Sequence, residues 1–233
     1  MEAPNWDYPM SEDSCDPLSD KFSFRKFYHL INTNKHTGMP FMDGKYSNLI
    51  KFAESNGVKF LLSTPYNFEL KEYSGMVALK NIEEMSSVLE IPSNLFISSH
   101  IVYHNIQLRQ LFDAFPSLFS TDIKAAAEDL ILIAFVFHEK SKIASFWKPV
   151  LDSWPSDSGL LFTWTKKELN ELQDGALMWT SLIQAHIAHQ YFPKFKEALG
   201  KCNDIFNTEL ITLPEFIRYW SLISSRTFSL NLI

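Results

Sequence analysis

Hydrophobic and polar positions change their period twice along this chain. From Ser47 to Gly57, the residues Leu49, Phe52 and Ala53 fall at helical spacing. Asn56-Gly57 stops that helix, because glycine takes the left-handed conformation at little cost. Between 58 and 99 the period shortens. Val58, Phe60 and Leu62 alternate, and Met76–Leu79, Ser87–Pro92 and Leu95–Ile97 are short apolar runs broken by Gly, Pro and Asn. Such runs predict the strands of a small sheet. From Ile101 the helical period returns. Asp122 to Lys140 carries Ile123, Ala126, Ala127, Leu130, Ile133, Ala134 and Phe137, a single stripe at i, i+3, i+4, i+7. Thr165-Lys166-Lys167-Glu168 is a capping box, and Thr212-Leu213-Pro214-Glu215 repeats it with proline in the first turn, where its missing N–H costs little. A helix over Leu177–Gly200 lies between them. The last helix carries Phe216, Ile217, Trp220 and Ile223. Phe228, Leu230 and Leu232 then alternate with polar residues, as at the opening of a strand.

The flanks behave differently. Residues 1–20 hold Glu2, Asp7, Glu12, Asp13, Asp16 and Asp20 with no Lys or Arg, and prolines interrupt any period, which predicts a flexible acidic tail. Phe22, Phe24, Phe27, Tyr28 and Ile31 form an aromatic cluster. The stretch 32–44 reads as a loop, with Gly38, Pro40 and Gly44 as breakers. The expected organisation is tail and lead-in at 1–45, a small sheet at 46–100, a helical region at 101–223 and a strand start at 224–233.

Composition bounds the class of function. Of 233 residues, 46% are hydrophobic, enough for a sizeable core. A formal net charge of −6 gives no basic footprint for nucleic acid over the chain as a whole. The longest apolar run, Leu130–Phe137, is shorter than the ~20 residues a membrane-spanning helix needs, so no membrane association is expected. Cys15 and Cys202 make neither a disulfide framework nor a paired zinc site. An acidic N-terminus lacks the basic start of a secretory signal. Together these features predict a cytoplasmic or nuclear protein.

Local constellations add little chemistry. His186 and His189, and likewise His100 and His104, sit one helical turn apart, but neither pair has a third ligand at suitable spacing, so no metal site is expected. Ser98-Ser99-His100 lacks the acid of a triad. Phosphate-loop and dinucleotide glycine motifs are missing. Trp147, Trp154, Trp164 and Trp179 read as packing residues of the helical region rather than a ligand cage.

Six segments, in order, resemble a known family. These are the helix Leu49–Gly57; Lys71-Glu72-Tyr73-Ser74-Gly75-Met76-Val77-Ala78-Leu79-Lys80-Asn81-Ile82; Val88-Leu89-Glu90-Ile91-Pro92-Ser93-Asn94-Leu95-Phe96-Ile97; Ser145-Phe146-Trp147-Lys148-Pro149 with Trp154-Pro155; Phe162-Thr163-Trp164-Thr165 with Glu168-Leu169; and Phe216-Ile217-Arg218-Tyr219-Trp220 through Ser225-Arg226-Thr227-Phe228. The chain is similar, over about 46–228, to SET-domain protein methyltransferases of the group that includes the Rubisco large-subunit and actin-histidine enzymes. The resemblance implies an α+β fold, a partial SET β-core carrying a large all-helical insertion.

It also implies a function. The family moves a methyl group from S-adenosylmethionine to a lysine or histidine nitrogen of a protein substrate, by in-line attack on the sulfonium methyl. The enzyme supplies mainly alignment and a desolvated nucleophile. By position, Glu72, Ser74 and Gly75 would contact the cofactor, and Arg226 would pair with its carboxylate. Tyr73 stands where the family has the first of two turn glycines. The family's Asn-His pair and channel tyrosine follow the segment matched by Ser225–Phe228. The sequence ends at Ile233, so the expectation is an incomplete chain with no catalytic residue of its own. The competing expectation is a non-catalytic protein-binding module. An open apolar strand edge would favour self-association.

Overall fold

The computed structural model describes residues 39–40, 44–61, 66–67, 74–75, 78, 81–120, 125–156 and 158–227. The acidic tail, the aromatic cluster at 22–31 and the strand expected at Phe228–Leu232 lie outside the described residues. The chain divides into two compact units, one of 1–41 with 62–81, the other of 42–61 with 82–233.

In the first unit, β1 (Met39–Pro40), β3 (Tyr66–Asn67) and β4 (Ser74–Gly75) form an antiparallel sheet in the order β1-β3-β4, with Tyr66 opposite Gly75 and Asn67 opposite Ser74. Sequence reading had placed Met39 and Pro40 in a loop. The strand survives its proline because β1 is an edge, where a missing N–H breaks no ladder.

The second unit opens with α1 (Gly44–Ser55), which ends where predicted: Gly57 has φ +80°. A two-stranded antiparallel pair follows, β2 (Lys59–Phe60) with β5 (Leu89–Glu90). The strand expected over Leu95–Ile97 is a correction. Pro92 and Ser93 start a 3₁₀ turn at Ser93–Leu95, closed by Phe96 N–H donating to the Ser93 carbonyl at 3.1 Å.

Helices then dominate: α2 (Ser99–Tyr103), α3 (Ile106–Ala114), α4 (Pro116–Phe119), α5 (Ala125–Ser141), α6 (Lys148–Asp152), α7 (Lys166–Glu171), α8 (Gly175–Gly200) and α9 (Leu213–Ser224). The start of each has a local cause where a side chain can accept. Ser98 Oγ takes the Ile101 N–H and Asn105 Oδ1 the Gln107 N–H. Thr165 and Glu168 form the full capping box. Asp174 Oδ1 accepts from Ala176 and Leu177 N–H, so α8 starts two residues earlier than its periodicity suggested. It also runs through Pro193, which cannot donate inside the helix.

The core is built around α5. Of its predicted stripe, Ala127, Leu130, Ile133, Ala134 and Phe137 are buried, Ala126 is partly buried and Ile123 lies outside the described residues; Ile131, Leu132, Phe135, Val136, His138 and Glu139 between the stripe positions are buried too. A helix apolar on all sides belongs in the centre, and α5 packs against α2, α4, α6 and α9. Aromatic rings fill the space beside it. Phe195 meets Phe216 at 4.9 Å between centroids, and Phe137 meets Tyr219 at 5.1 Å, edge to face. Among the described residues no helix is long and apolar enough to cross a membrane.

Candidate functional site

Four residues were singled out for a cofactor. Glu72 lies outside the described residues. Ser74 and Gly75 form β4, held by backbone pairing to β3 in the first unit. Arg226 belongs to the second unit, just past the end of α9.

The local sequence fixes how Arg226 leaves its helix. Thr212 Oγ1 accepts the Glu215 N–H and Pro214 fills the first turn, so α9 starts as predicted. The Glu215 carboxylate, however, is taken by Arg218 at 3.2 Å. At the other end, Ser225 N–H reaches the Ser221 carbonyl, and the Arg226 and Thr227 N–H groups both reach the Ile223 carbonyl, at 2.9 and 3.0 Å. Ser225 Oγ donates to the Leu222 carbonyl. Arg226 Nη1 donates to Ser225 Oγ at 2.6 Å. The guanidinium thus sits at a helix C-terminus, where positive charge is favoured. Its modest burial lowers its pKa. Among the described residues no carboxylate is paired with it. A planar cation in that state is suited to a ligand carboxylate, which it can hold with two parallel hydrogen bonds.

Arg218 is a cation of the opposite kind. Its Nη2 donates to the Pro155 carbonyl at 3.0 Å and its Nε to the Ser156 carbonyl at 3.1 Å, while Nη1 holds Glu215. It ties the 154–156 elbow to α9, with all three of its nitrogens engaged by the protein. Tyr219 beside it is buried, and burial with the Glu215 carboxylate pushes its hydroxyl pKa up.

Periodicity missed the polar groups inside this core. Asp129 lies partly buried on α5. Burial, with Glu128 beside it, pushes its pKa up to about 6. The signal was present, since Asp129 lies three residues after Ala126 and four before Ile133, on the buried stripe. Glu139 is 4% exposed and is satisfied by Lys142 and by Ser145 Oγ at 2.6 Å. His138 sits between the Gln107 Oε1 and Ile205 carbonyl oxygens at 3.0 and 3.3 Å. Burial, with Lys142 nearby, lowers its pKa.

Of the other sequence candidates, His100 and His104 are exposed, whereas His186 and His189 are partly buried on α8. His100 and His104 meet edge to face at 4.7 Å, with Arg109 Nη1 3.4 Å from His104 Nδ1. No cluster of three or more metal-ligating side chains occurs among the described residues. Trp147 and Trp154 pack on the core, whereas Trp179 is half exposed on α8.

No family model matches the sequence. Curated relatives do. An Arabidopsis thaliana chloroplastic [fructose-bisphosphate aldolase]-lysine N-methyltransferase is 27% identical over 183 residues, covering 78% of this chain and 35% of the relative. The chloroplastic Rubisco large-subunit N-methyltransferases of Pisum sativum and Nicotiana tabacum are each 25% identical, covering 66% of this chain and 29% of theirs. The chain therefore spans about a third of the length of the curated relatives it matches. Solved structures agree. Rubisco large-subunit methyltransferase bound to AdoMet superposes with a TM-score of 0.64 at 22% identity, over 81% of this chain and 42% of that one. The same enzyme with sinefungin and monomethyllysine gives 0.60 at 21%, over 77% and 39%.

One expectation is overturned. A cytoplasmic or nuclear protein was predicted, yet the three relatives are chloroplastic by name. The acidic N-terminus argued only against a secretory signal, and organelle import is a different route. The α+β fold, by contrast, is the one these structures share. In sequence the chain is similar to these lysine N-methyltransferases, and its fold is that of part of the Rubisco large-subunit methyltransferase.

Proposed function

We propose that this chain acts in S-adenosylmethionine-dependent methylation of lysine side chains on a protein substrate. The observation that carries the reading is Arg226, a guanidinium at the end of α9 with no acidic partner among the described residues. The resemblance of Ser225-Arg226-Thr227-Phe228 to the family's Ser-Arg segment supports this reading, in a chain similar to a structure bound to AdoMet. In this reading Glu72, Ser74 and Gly75 lie along the methionine part of the cofactor and Arg226 takes its carboxylate. The cofactor supplies the electrophilic methyl. The chain's own residues bind and orient it. Residues 46–100 supply part of the SET core, 101–223 the helical insertion and 224–233 the returning strand. Lysine is favoured over histidine because the curated relatives are lysine methyltransferases by name.

The test is calorimetry with S-adenosylmethionine on the 233-residue chain and on Arg226→Ala, followed by transfer of labelled methyl to protein substrates. Binding in the micromolar range that is lost in Arg226→Ala supports the reading. Binding that survives the substitution overturns the role of Arg226, and no binding at all overturns the cofactor reading for this chain.

A second reading, a protein-binding module without catalysis, is favoured by Tyr73 in the place of a turn glycine and by Leu177, Trp179 and Ile183 exposed along α8. Pull-down of a partner by a chain that neither binds the cofactor nor transfers methyl would decide for it. In either reading, Val88, Leu89 and Ile91, each more than 40% exposed around β5, favour self-association through that strand.

A further inference from the structure

The stretch of α8 from Gly175 to Pro193 contains no Asp, Glu, Lys or Arg, although only Ser181 and Ala188 within it are buried. Those two mark the inner side of the helix. The opposite side is open to solvent at Ala176, Trp179, Thr180, Ile183 and Gln190, with His186 and Ile187 partly covered. Trp179 is 50% exposed and Ile183 37%. These positions recur at intervals of three and four, the spacing of a seam along which two helices pack. A solvent-facing helix side ordinarily carries charged residues, and this one carries a tryptophan and an isoleucine instead.

The seam is symmetric about Ile183. Thr180 and His186 lie three residues to either side of it, Trp179 and Ile187 four, and Ala176 and Gln190 seven. Two copies laid antiparallel across a two-fold axis at Ile183 bring that residue against the partner's Ile183 and Trp179 against the partner's Ile187. Thr180 comes within reach of the partner's His186, whose imidazole can exchange a hydrogen bond with a hydroxyl. Ala176 leaves room for the partner's Gln190. The ends of the seam decide its direction. Asp174 caps the start of α8, and Lys194 follows the seam. Antiparallel packing carries each acid toward the partner's lysine, whereas parallel packing sets like charges side by side. A helix of another protein would find no charge along the seam to select it. We infer that the outer face of α8 is a self-association surface, on which two copies of this chain pack antiparallel about Ile183. From Ala176 to Gln190 the seam runs about 21 Å. A helix pair of that length lies at the low end of interface sizes, below about 1,200 Å² in total, so the dimer forms at micromolar rather than nanomolar concentrations. The inference stands apart from the proposed cofactor role and from pairing through β5.

Sedimentation velocity on the full 233-residue chain tests it. The wild-type chain should pass from monomer to dimer between about 1 and 500 μM. Ile183→Lys and Ile183→Glu each set two like charges at the axis and should raise the dimer dissociation constant more than about tenfold. An equimolar mixture of the two variants should associate again, because only a residue that meets its own copy gains from opposite charges there. Trp179→Ala removes the aromatic anchor and should weaken the dimer by about tenfold. It stands in if a variant at 183 fails to melt like the wild type. Leu89→Lys disturbs β5 and should leave the dimer in place. A wild-type chain that stays monomeric at about 500 μM overturns the inference. So does a dimer indifferent to the substitutions at 179 and 183, a mixture of well-folded Lys and Glu variants that remains monomeric, or loss of the dimer in Leu89→Lys.

Discussion

Ser145 donates its hydroxyl hydrogen to the buried carboxylate of Glu139 at 2.6 Å, and its oxygen also accepts the Trp147 N–H at 3.0 Å. One side chain therefore satisfies a buried charge and shapes the turn that carries Phe146 and Trp147. Both aromatics pack on Phe52 of α1. Replacing Ser145 with Ala leaves a lone pair of a buried carboxylate unsatisfied, at a cost of about 1–3 kcal/mol. Urea denaturation should show that loss with an unchanged slope.

Asp129 gives the protein a signature in its pH dependence. Its folded pKa is about 6, above the ordinary aspartate value, so the folded state binds the proton more tightly than the unfolded chain does. The stabilising contribution is complete at acid pH and is lost as pH rises toward 6. At neutral pH the ionised group is a burden. Asp129→Asn removes it and should raise stability at pH 7 by about 1–2 kcal/mol, allowing for the part of the group that water still screens. The gain should fade toward pH 4. Melting curves over that range check it, and a pH-independent difference would refute the assignment.

His138 works in the opposite sense. Its pKa is lowered by burial, so the neutral form belongs to the folded state. Its contribution is full above the unfolded histidine pKa and is lost as pH falls below about 6.5. In His138→Gln the fall in stability on the acid side should be shallower. Proton NMR of the ring across pH 4–8 provides the direct measure.

Gln173 holds φ +52° between α7 and α8, a conformation that strains any side chain with a Cβ. Glycine relieves the strain but also loosens the unfolded chain. The two effects leave a net stabilisation of about 0.5–1 kcal/mol for Gln173→Gly. Thermal melts should show a small rise, while Gln173→Val should lower the midpoint.

Local chemistry was the legible part of this fold. Thr165 and Glu168 close a box within four residues, and Gly57 ends a helix within one, so sequence alone located both. The strand misread at Leu95–Ile97 failed for a local reason as well, since Pro92 and Ser93 set a turn that apolar content conceals. What periodicity could not give was partnership across distance. Phe137 and Tyr219 lie on different helices and meet at 5.1 Å, and neither has a sequence neighbour that explains the contact. The wholly buried α5 likewise looked one-sided, because the layers that cover its other faces are supplied by α2, α4, α6 and α9. Of the proposed cofactor residues, Arg226 is legible through its resemblance to a family motif rather than through any pattern of its own.

The docking of α1 carries a consequence for the order of folding. Phe52 lies 4.9 Å from Phe146 between ring centroids, a contact across 146 − 52 = 94 positions, comparable with the 219 − 137 = 82 positions spanned by Phe137 and Tyr219 in the core. Loop closure costs about the same in both, but α1 is rewarded only after the surface around Phe146 and Trp147 exists, and Trp147 itself packs on Phe135 of α5. The helices from α2 onward should assemble first and α1 should arrive late. Phe52→Ala should then speed unfolding and leave the refolding rate nearly unchanged, whereas Phe137→Ala, in the centre of α5, should slow refolding itself.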